Sequence, residues 1–529
     1  MGIYLNPGNR GFQTILNGIY VDKTGLIDYV NSTINTPGKL TCFSRPRRFG
    51  KSFAAKMLCA YYDKSCDSSA MFDGLEISKK KSFYEFLNKY DVIYLDITRF
   101  ISTEVCLREV VRNLQSKVIE ELAEKYSSCV REKEGVLADA LFSVSHKTGN
   151  QFIVIIDEWD ALFREAKNDE ALQKEYVQFL RGLFKGGTAT DETIAAAYMT
   201  GILPIKKYGT ESALTDFQEF TMLTPDALAP YAGFTEQDVR ELCGKYHADF
   251  EEMKYWYDGY SFENLSSVYS PNSVIQAITR GAVRNYWTLS ETYESLKHYI
   301  GMDFKDLKKD IVRMLGGEAV RVKISTFQND IISFKSKDDV LTLLIHLGYL
   351  SYNAKTKKVV IPNQEVADVF GDAVDGEGWE EIGELIQDSE DLLEATLRGD
   401  SDAVADALEK VHCANTSILR YNSEASLSSS IMIAYYTARR LYKIVPEFPQ
   451  GTGYADLAFL PRKGTDKPAM IIELKYDKDA EPAIKQIHEN RHDGDLKKYY
   501  GNLLLVGINY NKNAKGSGAK KHSCVIEKV

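Results

Sequence analysis

The stretch Phe43-Ser44-Arg45-Pro46-Arg47-Arg48-Phe49-Gly50-Lys51-Ser52 constrains this chain more than any other. It closes on Gly50-Lys51-Ser52, the end of the pattern G-x-x-x-x-G-K-[ST]. A short apolar run, Leu40 to Phe43, leads in and predicts a strand. Ser52 to Tyr62 leads out with helix formers and an apolar face. That strand–loop–helix setting is the one the pattern requires. Backbone N–H groups and a helix N-terminus then hold phosphates. Lys51 becomes a point charge for them, and Ser52 offers its hydroxyl to Mg²⁺. Arg47, Arg48, Phe49 and Gly50 complete the expected nucleotide loop. One position departs. Arg45 stands where the pattern has its first glycine, and Pro46 follows. Arginine does not take positive φ cheaply, so the start of the loop must be built differently. The plainer alternative is a basic turn ahead of a core helix.

A second pattern supports the first. Gln151 to Glu158 reads Gln-Phe-Ile-Val-Ile-Ile-Asp-Glu. Such a continuous apolar run predicts a strand buried on both faces of a parallel sheet. Two acids follow at its C-terminal end, where open α/β sheets place their ligands. Asp157 would belong to the Mg²⁺ shell, and Glu158 would orient or polarise the attacking water. The alternative for an acid pair is a helix N-cap, a role Asp160 could also fill. Ile194 to Gly201 is a further strand, ending in Thr200. Thr200 is either a sensor of the γ-phosphate or part of an ordinary turn. The cofactors expected from these residues are ATP and Mg²⁺.

Length and charge set limits. The 529 residues predict about three or four domains. No apolar run of about 18 residues exists, so no membrane span is expected. The first ten residues lack the apolar core of a signal peptide. Eight scattered cysteines without a C-x-x-C pair read as reduced thiols of a cytoplasmic protein. The formal net charge is −10, so nucleic acid would have to be met by local patches. Two are visible: Arg45, Arg47, Arg48, Lys51, and Lys512, Lys515, Lys520, Lys521. Either could equally be solvated surface.

Taken in order, strands alternate with helices to residue 225, which predicts a P-loop NTPase parallel sheet of the α/β class. Asp91 to Thr98 is one such strand and Val105 to Lys125 a long helix. Residues 226–300 turn helical and aromatic, a helical lid. Thr235 and Asp238 form a capping-box start there, and Trp256 to Phe262 forms a tight aromatic turn. Residues 301–375 suggest a winged-helix-like unit, with a basic turn at Lys355 to Lys358. The acidic, Gly-rich stretch Gly371 to Gly378 reads as a linker. Residues 376–529 then give a helical linker and a C-terminal α/β restriction-endonuclease-like domain.

In that last part Ser423 opens a helix through Tyr442. Gly453 to Phe459 and Ala469 to Lys475 form a hairpin around a turn at Arg462 to Lys467. Asp456 can then lie opposite Glu473, and Glu473 and Lys475 share one face. Two carboxylates so placed suit Mg²⁺ or Mn²⁺, and Lys475 can stabilise developing charge. Glu424 offers a third acid. The alternative is a surface ion pair between Glu473 and Lys475. His488-Glu489-Asn490-Arg491-His492 spells the zinc-protease pattern, but Asp493-Gly494-Asp495 breaks its helix.

Asp22-Lys23-Thr24, Arg45 to Ser52, Asp157-Glu158, Thr200-Gly201-Ile202 and Trp256 to Phe262 together resemble the bacterial AAA-ATPase-like family. Asp456, Glu473-x-Lys475 and Gln486-Ile487 resemble its usual partner, a PD-(D/E)XK nuclease-superfamily domain. In that family Arg45 is an accepted substitute for the glycine. Tyr454-Ala455-Asp456 stands where the superfamily has Gly-Arg-x-Asp, so that arginine is missing. The resemblance implies an ATPase whose nucleotide state governs a metal-dependent nuclease on DNA or RNA, in phage or mobile-element defence. A homo-oligomer is left open. The rival class is a signalling or scaffolding NTPase whose C-terminal domain binds nucleic acid or protein without cleaving.

Overall fold

The computed structural model describes residues 2–529 except 105, 131–134, 206, 209–210, 213, 232, 288–292, 328–333, 375–378, 415–423, 451–452, 463–464, 478–479, 481–482, 484, 486–498, 500 and 515–519. The chain divides into two compact units. One is Met1–Ser290 with Arg321–Glu365, and the other is Glu291–Val320 with Val366–Val529. The expected third segment, 301–375, is therefore shared between them.

The first unit is built on five strands: β1 (Leu40–Ser44), β2 (Asp91–Asp96), β3 (Phe152–Asp157), β4 (Ile194–Gly201) and β5 (Gln218–Phe220). They lie in the order β2-β3-β4-β1-β5, and every neighbouring pair is parallel. β1, β3 and β4 are buried along their whole length. That burial on both faces is why they read as unbroken apolar runs. Helix α1 (Lys51–Tyr62) follows β1, and α2 (Ala161–Glu165) follows β3. Asp96 ends β2 early by capping the next helix: its side chain accepts from the Arg99 amide. The strand expected over Asp91–Thr98 is two residues shorter for that reason.

The region expected to form a lid contains α3 (Glu236–Tyr246), Phe250–Tyr257 and α4 (Pro271–Arg280). Thr235 and Asp238 form the expected capping box. The aromatic turn leaves the second of these helices through Gly259, at φ 115°. A β-carbon there would lie 1.7 Å from the Pro362 carbonyl oxygen, so only glycine fits. The next part of this unit is α5 (Lys337–Leu347) followed by the hairpin Ser351–Asn353 and Lys358–Val360.

In the second unit, residues 371–374, expected in a linker, form the last turn of α6 (Gln364–Val374). Val366, Val369, Phe370 and Ala373 give that helix its buried stripe, which overrides the local glycine. Helices α7 (Glu380–Arg398), α8 (Ser401–Ala414) and α9 (Glu424–Ala434) follow. Five strands come next: β6 (Tyr442–Gln450), β7 (Gly453–Pro461), β8 (Ala469–Tyr476), β9 (Leu503–Tyr510) and β10 (His522–Lys528). They lie in that order, antiparallel except for the parallel pair β8–β9. The helix expected through Tyr442 ends at Ala434, and Tyr442 starts β6. Pro446 and Pro449 hid that strand from sequence reading. Both are tolerated because β6 is the sheet edge, where no second ladder needs their missing N–H groups.

Candidate functional site

The loop between β1 and α1 starts in an unusual way. The Arg45 amide donates to the Gly201 carbonyl at 2.9 Å, which continues the β1–β4 ladder. Its guanidinium turns back into the core. Nη1 donates to the carbonyls of Ser44 (2.7 Å) and Phe220 (3.1 Å). The group lies over the Phe43 ring at 4.4 Å and the Phe262 ring at 5.6 Å. Burial pulls its pKa down to about 9. Positive φ falls instead on Arg48 (62°) and Gly50 (87°). The basic patch expected at 45–51 is therefore reduced: Arg45 and Lys51 are buried, and only Arg47 and Arg48 are exposed.

Lys51 donates to the carbonyls of Arg45 (2.9 Å) and Pro46 (2.8 Å). Burial lowers its pKa, and the carboxylates of Glu158, Asp160 and Asp157 oppose the shift. Ser52 stands on the first turn of α1, partly exposed. Phe49 is buried and meets Tyr260 edge to face at 5.3 Å. It anchors the loop to the aromatic turn of the lid.

The acids at the end of β3 are tightly tied. Asp157 accepts from the Thr200 hydroxyl at 2.5 Å and from Tyr94 at 3.2 Å. The same Thr200 hydroxyl accepts from the Glu158 amide at 3.2 Å. The sensor expected at Thr200 thus spends its hydroxyl on holding the two acids in place. Glu158 has φ 53°, a strained value for a side-chain-bearing residue. Its carboxylate is ion-paired with Arg164 on α2. Burial works to raise the Glu158 pKa, but the charges of Lys51 and Arg164 outweigh it and hold it below the usual value. Asp160 occupies the N-cap position of α2 without capping it. Its side chain accepts instead from the amides of Ile202 (3.1 Å) and Leu203 (2.9 Å), pinning the turn after β4. Gly201 faces Trp159 so closely that a β-carbon would lie 2.5 Å from its indole nitrogen.

A cavity of about 850 Å³ opens above this loop. Residues 47–52 and Glu158 form its polar end. Ile19, Tyr20, Val21, Phe234, Pro271 and Ile275 form an apolar end. The size and the division suit a nucleotide, with phosphates at one end and a base at the other. Sequence reading missed the apolar end. Its parts lie more than 200 positions apart, and only Tyr20-Val21 beside Asp22-Lys23-Thr24 gave a signal. Lys23 joins these parts: it pairs with Asp238 of α3 at 2.6 Å and donates to the Pro230 carbonyl at 2.9 Å.

The second constellation lies on β7 and β8. Their register pairs Leu457 with Ile472, which sets Asp456 across from Glu473. Asp456 accepts from the Leu474 amide at 2.7 Å. Lys475 donates to Glu473 at 2.9 Å, so the two share a face as alternation requires. Both are nearly buried, at 3% and 8% exposure, which excludes the surface ion pair. Burial raises the Glu473 pKa. Lys475 counters that shift, and the nearby Asp456 charge adds to it. Two hard oxygen donors side by side, one with its pKa raised by burial, fit a divalent metal. Glu424 opens α9, but its side chain lies outside the described residues. Gln486 and the His488–His492 pattern lie outside them too, as does Lys515. Among the described residues no group of three or more His, Cys, Asp or Glu side chains comes together.

Comparison with known proteins assigns a family model to each of the two regions. Residues 8–210 match the family described as predicted AAA-ATPase. Residues 424–517 match the PD-(D/E)XK nuclease superfamily. The chain carries an AAA-ATPase-like domain followed by a PD-(D/E)XK nuclease-superfamily domain. An uncharacterized protein in the vnfD 5′ region of Azotobacter chroococcum mcd 1 is 23% identical over 293 residues. The match takes in 53% of this chain and 52% of that protein, so the chain spans about half the length of this curated relative. Among solved structures, the ORC2 protein of Aeropyrum pernix is similar at a TM-score of 0.32 and 12% identity. That match covers 67% of this chain and 95% of the other. Cdc6p of Pyrobaculum aerophilum is similar at 0.24 and 10%, over 66% and 91% of the two chains. Among the described residues, no helix of the chain is long and apolar enough to cross a membrane.

Proposed function

We propose that the AAA-ATPase-like domain binds and hydrolyses ATP with Mg²⁺. We propose further that its nucleotide state governs a metal-dependent nuclease at Asp456, Glu473 and Lys475, cleaving DNA or RNA phosphodiesters. A bacterial cytoplasm and defence against phage or mobile elements are the setting this reading implies. One observation carries it: Asp456 faces Glu473 across the β7–β8 ladder, with Lys475 on the same face.

In the nucleotide site, Lys51 leaves the Arg45 and Pro46 carbonyls to bind phosphate, and the loop amides and α1 N-terminus surround the oxygens. Ser52 and Asp157 would hold Mg²⁺, which supplies charge neutralisation for phosphoryl transfer. Glu158 orients the attacking water, and Thr200 fixes both acids. In the nuclease site, Asp456 and Glu473 would hold Mg²⁺ or Mn²⁺, which lowers the pKa of water and polarises the phosphoryl oxygen. Lys475 neutralises charge developing on the phosphate. Glu424 is the remaining candidate acid.

The test is a panel of DNA and RNA substrates incubated with protein, Mg²⁺ or Mn²⁺, and with or without ATP. Cleavage is expected, and Asp456→Ala should abolish it while ATP turnover persists. Cleavage that survives Asp456→Ala would overturn the site. A second reading has an observation of its own, since no third metal-ligating side chain joins Asp456 and Glu473 among the described residues. It is a signalling or scaffolding NTPase whose C-terminal domain binds without cleaving. ATP turnover with every substrate intact would select it.

A further inference from the structure

We infer that the groove lined by Arg321, Lys323, Lys337 and Lys357 is a docking surface for the phosphate backbone of duplex DNA, engaged without regard to base sequence. A groove of about 610 Å³ is lined by Arg321, Lys323, Lys337 and Lys357, together with Asp338 and Tyr352. Lys355 and Lys358 flank it on the hairpin turn. Arg321, Lys323, Lys355, Lys357 and Lys358 are all exposed. None of the five has an ion-pair partner among the described residues. Elsewhere in this unit some exposed cations are neutralised, as Arg240 is by Glu236. Five unneutralised cations around one groove, on a chain of net charge −10, form a local field that favours a polyanion.

The backbone holds these charges outward. Lys357 sits at φ 55°, a conformation that favours glycine. Its amide donates to the Asn353 carbonyl at 2.8 Å, and its carbonyl accepts from the Val322 amide at 3.1 Å. The Thr356 amide donates to the Asn353 side chain at 3.0 Å. The turn is therefore pinned at both ends with a lysine at its strained position. Strain of that kind tends to mark functional positions. Asp339 does not compete with a ligand, because it is buried and accepts from the amides of Lys335 and Ser336.

The mode of contact follows from what is buried. Helix α5 is buried at every residue from Asp339 to His346, so it has no free face to enter a major groove. Base reading by that helix is excluded, which leaves phosphates. Single strands are held on exposed aromatic platforms. Tyr352 is the aromatic residue in the lining, and it is only partly exposed. Duplex RNA recognition adds 2′-hydroxyl contacts to its phosphate contacts, and the charged residues of this lining are four cations and one acid.

The test measures binding of the full chain to labelled duplex DNA of mixed sequence, in EDTA and without ATP, across a salt series. Log affinity should fall linearly with log salt, by about 0.9 for each phosphate neutralised. Lys323→Ala/Lys355→Ala/Lys357→Ala should flatten that slope by roughly 2 to 3 and lower affinity at least about tenfold at low salt. Lys357→Gly separates charge from folding: it relieves the turn, so thermal stability should hold or rise while the slope still drops by about 1. An unchanged slope in the triple variant, or tighter binding of single strands or duplex RNA than of duplex DNA, would overturn the proposal. Cleavage plays no part in this measurement. A chain that binds in this way but never cleaves would sink the nuclease reading and leave the docking surface standing.

Discussion

Lys51 is held by two carbonyl oxygens of its own loop, at 2.9 and 2.8 Å, so a triphosphate must win it from them. Lys51→Ala should weaken ATP binding about 10- to 100-fold, the range of one charge-assisted hydrogen bond. Calorimetric titration checks this, and equal affinity would assign the phosphates elsewhere. Glu158→Gln should retain ATP yet lose about 10²- to 10⁴-fold in turnover, the range for a general base. Its pH dependence has a definite sign. Lys51 and Arg164 hold the Glu158 pKa below the usual value, so the working carboxylate persists on the acid side. Turnover is lost only as pH falls through that lowered pKa. Arg164→Ala removes one of the two charges and should move the acid limb of the kcat profile to higher pH. Glu473 runs the opposite way. Burial and Asp456 raise its pKa, so metal binding should weaken at a higher pH than an ordinary carboxylate pair would show. Lys475→Met should move that loss of Mn²⁺ binding to higher pH still, because Lys475 lowers the Glu473 pKa.

At the scale of elements, the phosphate loop is braced by the lid's aromatic turn. Phe262 covers the Arg45 guanidinium, Tyr260 meets Phe49, and the Tyr260 hydroxyl donates to the Gly348 carbonyl at 2.6 Å. Phe262 is only partly buried, so Phe262→Ala should cost less than the roughly 3–5 kcal/mol of a fully buried ring. Arg45→Met should behave differently. Nε and Nη2 of Arg45 are buried without hydrogen-bond partners. Exchanging such a cation for an apolar side chain of similar reach is often neutral or stabilising. Thermal unfolding should place Arg45→Met at or above the parent. A clear loss would show that the stacked rings and the two donated hydrogen bonds outweigh the desolvation.

At the scale of the molecule, two units with separate sheets carry the two candidate sites. A ligand stabilises what it binds by RT ln(1 + [L]/Kd), about 2.7 kcal/mol at a hundredfold excess over Kd. ATP with Mg²⁺ should therefore raise one calorimetric unfolding transition, and Mn²⁺ alone should raise another. Asp456→Ala should cancel only the Mn²⁺ shift, and Lys51→Ala only that of ATP. A single transition moved equally by both ligands would show that the units unfold as one.

Local rules were enough to read the elements that carry chemistry. Strands β1, β3 and β4 are buried on both faces, so their runs stand out, and the candidate site residues follow at their ends. The pairing of Asp456 with Glu473 was legible for the same reason. Alternation of period two and a short turn leave one register that buries the apolar face. Other features depend on contacts that no window of sequence contains. The edge position of β6 admits its two prolines, and the stripe on α6 overrides a glycine-rich composition. Arg45 reads as a surface charge because nothing nearby in sequence announces Phe262, which stacks on it from 217 positions away. The apolar end of the nucleotide cavity is likewise assembled from residues 19–21, 234, 271 and 275. Periodicity reports which face of one element is buried. It does not report what lies against that face, and here the packing of distant segments decided how Arg45, Thr200 and Asp160 are used.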